Sequence, residues 1–128
     1  MILGLGTDLV EIEKMGENLR SPGFVERVFT PAETLACRAV KNSAQAFAGK
    51  FAAKEACMKA LHAGIRQEVW FTDIEVLDGP AGEPHITLSA RLPDLLSLPD
   101  AMEIHVSISH SGHYATAVVI IEQKTSGL

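Results

Sequence analysis

The sequence predicts an α+β fold in which a helical first half packs on an antiparallel sheet. Between residues 43 and 62, apolar side chains recur at helical spacing. From residue 69 onward, short segments alternate apolar and polar side chains instead. Helices and strands are thus segregated along the chain rather than interleaved as in a parallel βαβ fold. At 128 residues, 47% hydrophobic and 21% charged, the chain is expected to form one domain over residues 1–128 with a self-sufficient core.

The first element is a short strand, Met1–Asp8, whose alternation sets Ile2, Gly4, Gly6 and Asp8 on one face and Leu3, Leu5 and Thr7 on the other. The two glycines leave open space beside the Asp8 carboxylate. Leu9, Ile12 and Met15 then repeat at helical spacing, and Asp8 with Glu11 has the pattern of a capping box. Ser21-Pro22-Gly23 breaks that helix, and a second begins with Thr30 as cap, Pro31 at the first turn and Glu33 closing a box. The long helix over residues 43–62 carries Phe47, Phe51, Met58 and Leu61 on an apolar side and Glu55, Lys59 and His62 on another. Strands follow at 69–77 and 84–89, then a short helix near 92–98 between prolines. The closing hairpin runs over 103–109 and 114–121, turning near Ser111-Gly112. In its first strand Ile104, Val106 and Ile108 face one way, and His105, Ser107 and Ser109 the other.

Composition excludes several classes of function. No apolar run is long enough for a membrane span, and the N-terminus has no basic segment followed by an apolar signal core, so a soluble, cytoplasmic protein with no membrane partner is expected. Cys37 and Cys57 have no CxxC partner and read as reduced apolar fillers. The net charge of −5 is uneven: residues 14–66 sum to +5, residues 67–128 to −7, and residues 1–13 to −3. A basic middle in an acidic chain attracts an anionic partner locally while repelling polyanions, which argues against nucleic-acid binding.

Gly4-x-Gly6-x-Asp8 lacks the third glycine of a dinucleotide fingerprint, and its glycines lie inside a strand. His105, His110 and His113 supply no fourth ligand for zinc. Alone, Asp8 reads as a helix cap or as a ligand, and Glu55 with Lys59 as a surface ion pair or as part of a site. Together they suit a hard cation, since Mg²⁺ takes one or two carboxylates plus water and phosphate oxygens. Lys59, one turn beyond Glu55, holds a phosphate oxygen as a point charge, and a Ser109-His110 turn adds hydrogen bonds. That constellation suits phosphoryl-type transfer.

Residues 4–12 (Gly-Leu-Gly-Thr-Asp-Leu-Val-Glu-Ile), residues 47–61 with Gly49-Lys50-Phe51-Ala52-Ala53-Lys54-Glu55-Ala56, and Ser107-Ile108-Ser109-His110 with Tyr114-Ala115 closely resemble the bacterial holo-[acyl-carrier-protein] synthases. These are the short, trimeric branch of the 4′-phosphopantetheinyl transferases. Asp73-Ile74-Glu75-Val76 and Gly82-Glu83-Pro84 are similar to the family's connecting strands, so the resemblance spans nearly the whole chain. It implies transfer of phosphopantetheine from coenzyme A to a serine of an acyl carrier protein in fatty acid biosynthesis, with loss of 3′,5′-ADP. It further implies Mg²⁺ on Asp8 and Glu55, phosphate support from Lys59, and Glu55 as a candidate base. Coenzyme A contacts fall to Lys50, Lys59, Gly64, Ser109 and His110, the last two reaching the nucleotide end from a neighbouring subunit of a homotrimer. Carrier docking falls to Lys14, Arg20 and Arg27.

The chain departs from the family pattern in three places. Lysine replaces the usual arginine at Lys14 and Lys50, which loses the bidentate fork. The family's Gly-Thr-Gly after the long helix reads His62-Ala63-Gly64 here, leaving Gly64 to end the helix. Two other readings compete: a non-catalytic module that binds coenzyme A or carrier protein, and a Mg²⁺-dependent nucleotide enzyme of another kind. Retention of Asp8, Glu55 and Lys59 together favours catalysis, and the lack of a P-loop disfavours the last.

Overall fold

The computed structural model of the chain describes residues 1–63 and 68–124. In order it contains β1 (Ile2–Glu11), α1 (Ile12–Leu19), α2 (Phe24–Val28), α3 (Pro31–Arg38) and α4 (Ser43–Ala60). A 3-10 turn (Phe71–Asp73), β2 (Ile74–Asp78), β3 (Pro84–Leu88), α5 (Leu92–Leu95), β4 (Met102–Ser111) and β5 (Tyr114–Gln123) follow. The main sheet is antiparallel in the order β1-β5-β4, and β2 and β3 form a separate antiparallel pair. The α+β expectation therefore holds, with the N-terminal strand recruited to the edge of the C-terminal hairpin.

That recruitment lengthens β1 beyond the expected Asp8. Asp8 pairs with Ala117, Leu9 with Thr116, Val10 with Ala115 and Glu11 with Tyr114. Cross-strand hydrogen bonds to β5 thus outweigh the local helical spacing of Leu9, Ile12 and Met15. The expected Asp8–Glu11 capping box does not form. α1 starts at Ile12, its N-cap Glu11 makes no side-chain cap bond, and Ile12 N–H donates to His113 O at 2.8 Å. The box at Thr30 and Glu33 is present, with Thr30 accepting from Glu33 N–H and Glu33 accepting from Thr30 N–H.

α4 is buried almost all round rather than on one side, because the main sheet, α1, α3 and β2 all pack against it. Its small residues Ala52, Ala53, Ala56 and Ala60 are fully or almost fully buried. The space beside Gly4 and Gly6 is not open. A Cβ on Gly4 would lie 1.8 Å from Ala60 O, and one on Gly6 would lie 1.8 Å from Ala56 O. The glycines let the α4 backbone lie directly on β1.

The helix ends in a Schellman motif two residues before the glycine expected to stop it. His62 takes a left-handed φ of 58°, His62 N–H donates to Lys59 O, and Ala63 N–H to Met58 O at 2.9 Å. Gly64 itself lies outside the described residues.

Two polar groups that ordinarily face water are sealed in this core. Lys54 Nζ is 2.8 Å from Glu33 Oε1, both side chains are inaccessible, and Lys54 also donates to Phe71 O and Ile74 O. Glu33 Oε2 accepts from Val76 N–H at 2.6 Å. One buried ion pair therefore ties α3, α4 and β2 together, and burial pushes the Lys54 amine below its ordinary value, opposed by Glu33. Cys37 and Cys57 are free and buried, as expected, and burial raises their thiols to about 11 and about 12.

Beyond α4, the expected strand over 69–77 gives way to the 3-10 turn. Buried Asp73 accepts from Trp70 N–H and from the Ser89 hydroxyl, closing the chain there and leaving only Ile74–Asp78 extended. The expected helix over 92–98 stops at Leu95, with Ser97 at a positive φ of 53°. In the closing hairpin, β4 and β5 pair to Ser111 and Tyr114. Gly112, with φ 59°, is the first central turn residue, the pattern of a II′ turn.

Candidate active site

α4 and β1 place the site. Gly4, Gly6 and Asp8 point from β1 to the same side, where α4 lies close enough for Lys59 to reach back over the strand. Lys59 Nζ donates to Thr7 O at 2.8 Å and stands 3.3 Å from Asp8 Oδ1. The Asp8 backbone is fixed too, since its carbonyl accepts from Thr116 Oγ1 at 2.8 Å. Asp8 is therefore not a helix cap: its backbone belongs to the sheet, and its carboxylate faces Lys59.

Glu55 sits one turn before Lys59 on α4 and shares with Asp8 a cleft of about 320 Å³, walled also by Lys14, Asn18 and Phe51. Partial burial raises the Glu55 carboxyl above its ordinary value of 4.5; the Asp8 charge adds to this and Lys59 opposes it. Two carboxylates at the edge of one cleft are a donor set for a hard divalent cation, which takes oxygen ligands. The residues present thus fit Mg²⁺, with Lys59 supplying positive charge at Asp8.

The remaining candidates fall into separate places. Ser109 and His110 lie within β4, not in a turn, and strand alternation sends them to opposite faces. Ser109 joins His105 and Ser107 on the free face. His110 follows Ile108 on the α4 side and lines a second cleft of about 430 Å³ with Lys50, Asp78, Asn42 and Gln45. Asp8 and Ile108 both pair with Ala117, so β4 lies two strand spacings, roughly 10 Å, from β1. Within one chain, then, Asp8, Glu55, Lys59 and Lys14 gather in one region, and Lys50 and His110 in another.

Lys50 is buried, donating to Val76 O at 3.0 Å with its Nζ 3.7 Å from Asp78. Arg20 and Arg27 are exposed, Arg20 at the end of α1 and Arg27 on α2. The three histidines considered for zinc are not brought together. His105 instead lies 3.0 Å from Glu122 and 4.0 Å from Glu103, with Lys124 3.4 Å from Glu103, an exposed network of ion-pairing groups.

Sequence reasoning missed the sealed Glu33–Lys54 pair, although a lysine flanked by alanines inside the helix, Ala53-Lys54-Glu55-Ala56, marks it. It also missed the anchoring of Trp70, Asp73 and Arg91, which no local pattern signals.

The chain is similar to known proteins in sequence and in fold. The family model of the 4′-phosphopantetheinyl transferase superfamily matches residues 4–119. A holo-[acyl-carrier-protein] synthase of Protochlamydia amoebophila is 41% identical over 122 residues, covering 94% of this chain and 98% of the relative. One from Vibrio cholerae is 42% identical over 126 residues, covering 97% and 100%. Among solved structures, the Helicobacter pylori holo-[acyl-carrier-protein] synthase in complex with coenzyme A superposes with a TM-score of 0.79 at 35% identity, covering 92% of this chain and 99% of that one. The Bacillus anthracis synthase, in complex with CoA (3′,5′-ADP), gives 0.81 at 36% identity, covering 97% and 99%. With both carboxylates and the lysine of the matched motifs meeting across β1 and α4, the chain belongs to the 4′-phosphopantetheinyl transferase superfamily and is a phosphopantetheinyl transferase of the holo-[acyl-carrier-protein] synthase kind.

Proposed function

We propose that this enzyme moves the 4′-phosphopantetheine group of coenzyme A to a serine of an apo acyl carrier protein, using Mg²⁺, in cytoplasmic fatty acid biosynthesis. The observation that carries this reading is that Asp8 and Glu55 wall one cleft, with Lys59 Nζ 3.3 Å from the Asp8 carboxylate. Asp8 and Glu55 would hold Mg²⁺, which would supply charge neutralisation to the phosphates. Lys59, already 3.3 Å from Asp8, holds a phosphate oxygen. The carrier serine oxygen forms a bond to the phosphorus bearing pantetheine, the bond from that phosphorus to the ADP portion breaks, and 3′,5′-ADP leaves. Glu55, in the same cleft as Asp8, receives the serine proton.

Lys14, in the wall of the cleft, and Arg20 and Arg27 beyond it form the docking side for an acidic carrier. Lys50, Ser109, His110 and Gly64 belong to the coenzyme A side of the same reading. His110 and Lys50 lie apart from Asp8 within one chain, which suits a site completed by a neighbouring subunit. A homotrimer is supported further by the free face of the main sheet, where Leu5 (60%), Leu9 (64%) and Val118 (39%) are exposed side by side.

Incubation with apo carrier, coenzyme A and Mg²⁺, followed by intact mass measurement, tests the reading. The carrier should gain the mass of phosphopantetheine, and a chelator should abolish the gain. A carrier that binds but stays unmodified under those conditions would make the chain a binding module.

A further inference from the structure

Trp70 is the single tryptophan of the chain, and 60% of its surface is exposed. It is also held firmly. Asp73, whose side chain is 5% exposed, accepts from Trp70 N–H at 2.8 Å, from the Ser89 hydroxyl at 2.7 Å and from Arg91 Nη1 at 2.5 Å. Arg91, clamped in this way, lies 4.6 Å from the Trp70 ring centroid and covers one face of the indole. The remaining indole surface borders a cleft of about 400 Å³ that Arg27, Glu26, Val69, Phe71 and Thr72 complete.

An exposed large aromatic is ordinarily mobile and costs solubility. Here backbone and side chain are both fixed before any partner arrives. A preorganised tryptophan backed by arginine has the composition and rigidity of an interface hot spot. The cleft also adjoins the candidate active site. Phe71, in its wall, stacks at 5.4 Å on Phe51, which walls the Asp8–Glu55 cleft, and Phe51 lies 6.5 Å from Phe24 of α2.

We propose that the Trp70–Arg91 platform is a carrier-specificity determinant, receiving an apolar side chain from the acidic protein whose serine enters the Asp8–Glu55 cleft. Arg91 is neutralised by Asp73, so its contribution is the planar guanidinium stacked on the indole. Arg27, despite Glu26 beside it, adds to the exposed Lys14 and Arg20 of the preceding helix, and those charges select an acidic partner. The proposal rests on the transfer reading above and adds to it a second anchoring point that no part of the catalytic cleft supplies.

The test uses the whole enzyme and a tryptophan-free apo carrier whose acceptor serine is replaced by alanine. Because Trp70 is the only tryptophan, its emission should shift to the blue as this carrier is added, saturating with the affinity measured by calorimetry, and stay unchanged with coenzyme A alone. With reactive carrier, Trp70→Ala should raise the carrier KM by about 10- to 30-fold. The KM for coenzyme A and the kcat at saturating carrier should not move. Trp70→Phe should recover part of the loss, and Arg91→Lys, which keeps the charge for Asp73 but not the stacking plane, should lose part of the affinity. Carrier binding with unchanged emission and an unchanged KM in Trp70→Ala would overturn the platform while leaving the transfer reading intact. No calorimetric binding of the carrier to the unsubstituted enzyme would overturn both.

Discussion

At the scale of single residues, Glu55 and the Glu33–Lys54 pair show opposite uses of burial. Glu55 is partly buried next to another carboxylate, so ionising it costs more in the folded chain than in the unfolded one. A folded pKa raised above the unfolded value destabilises the fold at neutral pH, and that penalty disappears as pH falls below the ordinary glutamate value. Glu55→Gln should therefore raise the melting temperature at pH 7 while leaving it nearly unchanged at acid pH. The same proton competes with metal, so Mg²⁺ affinity measured by calorimetry should begin to fall above pH 4.5 on acidification, with a proton released on binding. Lys54, by contrast, is fully enclosed with Glu33, and removing one partner strands the other without water. Lys54→Ala should cost about 3–5 kcal/mol in denaturant unfolding. If it costs less than about 1 kcal/mol, the pair does not tie α4 to β2.

At the scale of elements, the junction of β1 and α4 decides whether a site exists. Neither glycine of β1 admits a Cβ without displacing α4 backbone. Gly6→Ala, two residues from Asp8, should destabilise by about 3 kcal/mol, the upper end for overpacking, and should lower transfer per folded molecule as well. Gly4→Ala meets Ala60 at the far end of the contact and should destabilise comparably while the folded fraction keeps more of its activity. Unfolding curves paired with initial rates separate the two.

The motif Gly4-x-Gly6-x-Asp8 stands out in the sequence. The reason for its glycines does not, because close approach of a helix some fifty residues further along the chain has no local signature. The extent of β1 was misjudged for a related reason: the local spacing of Leu9, Ile12 and Met15 is helical, and only the register with Ala115–Ala117 overrules it. Capping signals that are wholly local, as at Thr30, Pro31 and Glu33, were read correctly. The stop of α4 was read two residues late, since His62 accepts the left-handed conformation that glycine ordinarily takes. His62→Gly should therefore stabilise by about 1 kcal/mol in thermal unfolding.

At the scale of the whole molecule, the main sheet has one face under α4 and one face that is exposed among the described residues. The alternation of β4 made its two faces legible, including polar His105, Ser107 and Ser109 on the side away from α4. What the sequence left open was which residues would share a site. Lys50 and His110 meet in one cleft and Asp8 and Glu55 in another, a division that follows from strand order rather than from spacing along the chain. If the free face joins three copies, light scattering should give about three times 13.8 kDa. Leu9→Glu, at a 64% exposed position, should then split the assembly and reduce transfer without unfolding the monomer.

Asp8→Asn separates a metal ligand from a merely structural aspartate, with transfer to apo carrier followed by intact mass across a Mg²⁺ titration alongside a melting curve. Asp8 is a strand residue whose backbone is already paired, so the amide should leave the melting temperature within a degree or two. A metal ligand needs the charge that the amide lacks. Transfer at low Mg²⁺ should fall by orders of magnitude, on the order of 10²-fold or more, and recover in part at high Mg²⁺ or with Mn²⁺. Near-normal transfer by Asp8→Asn at low Mg²⁺ would contradict the account and remove the metal from the β1–α4 cleft.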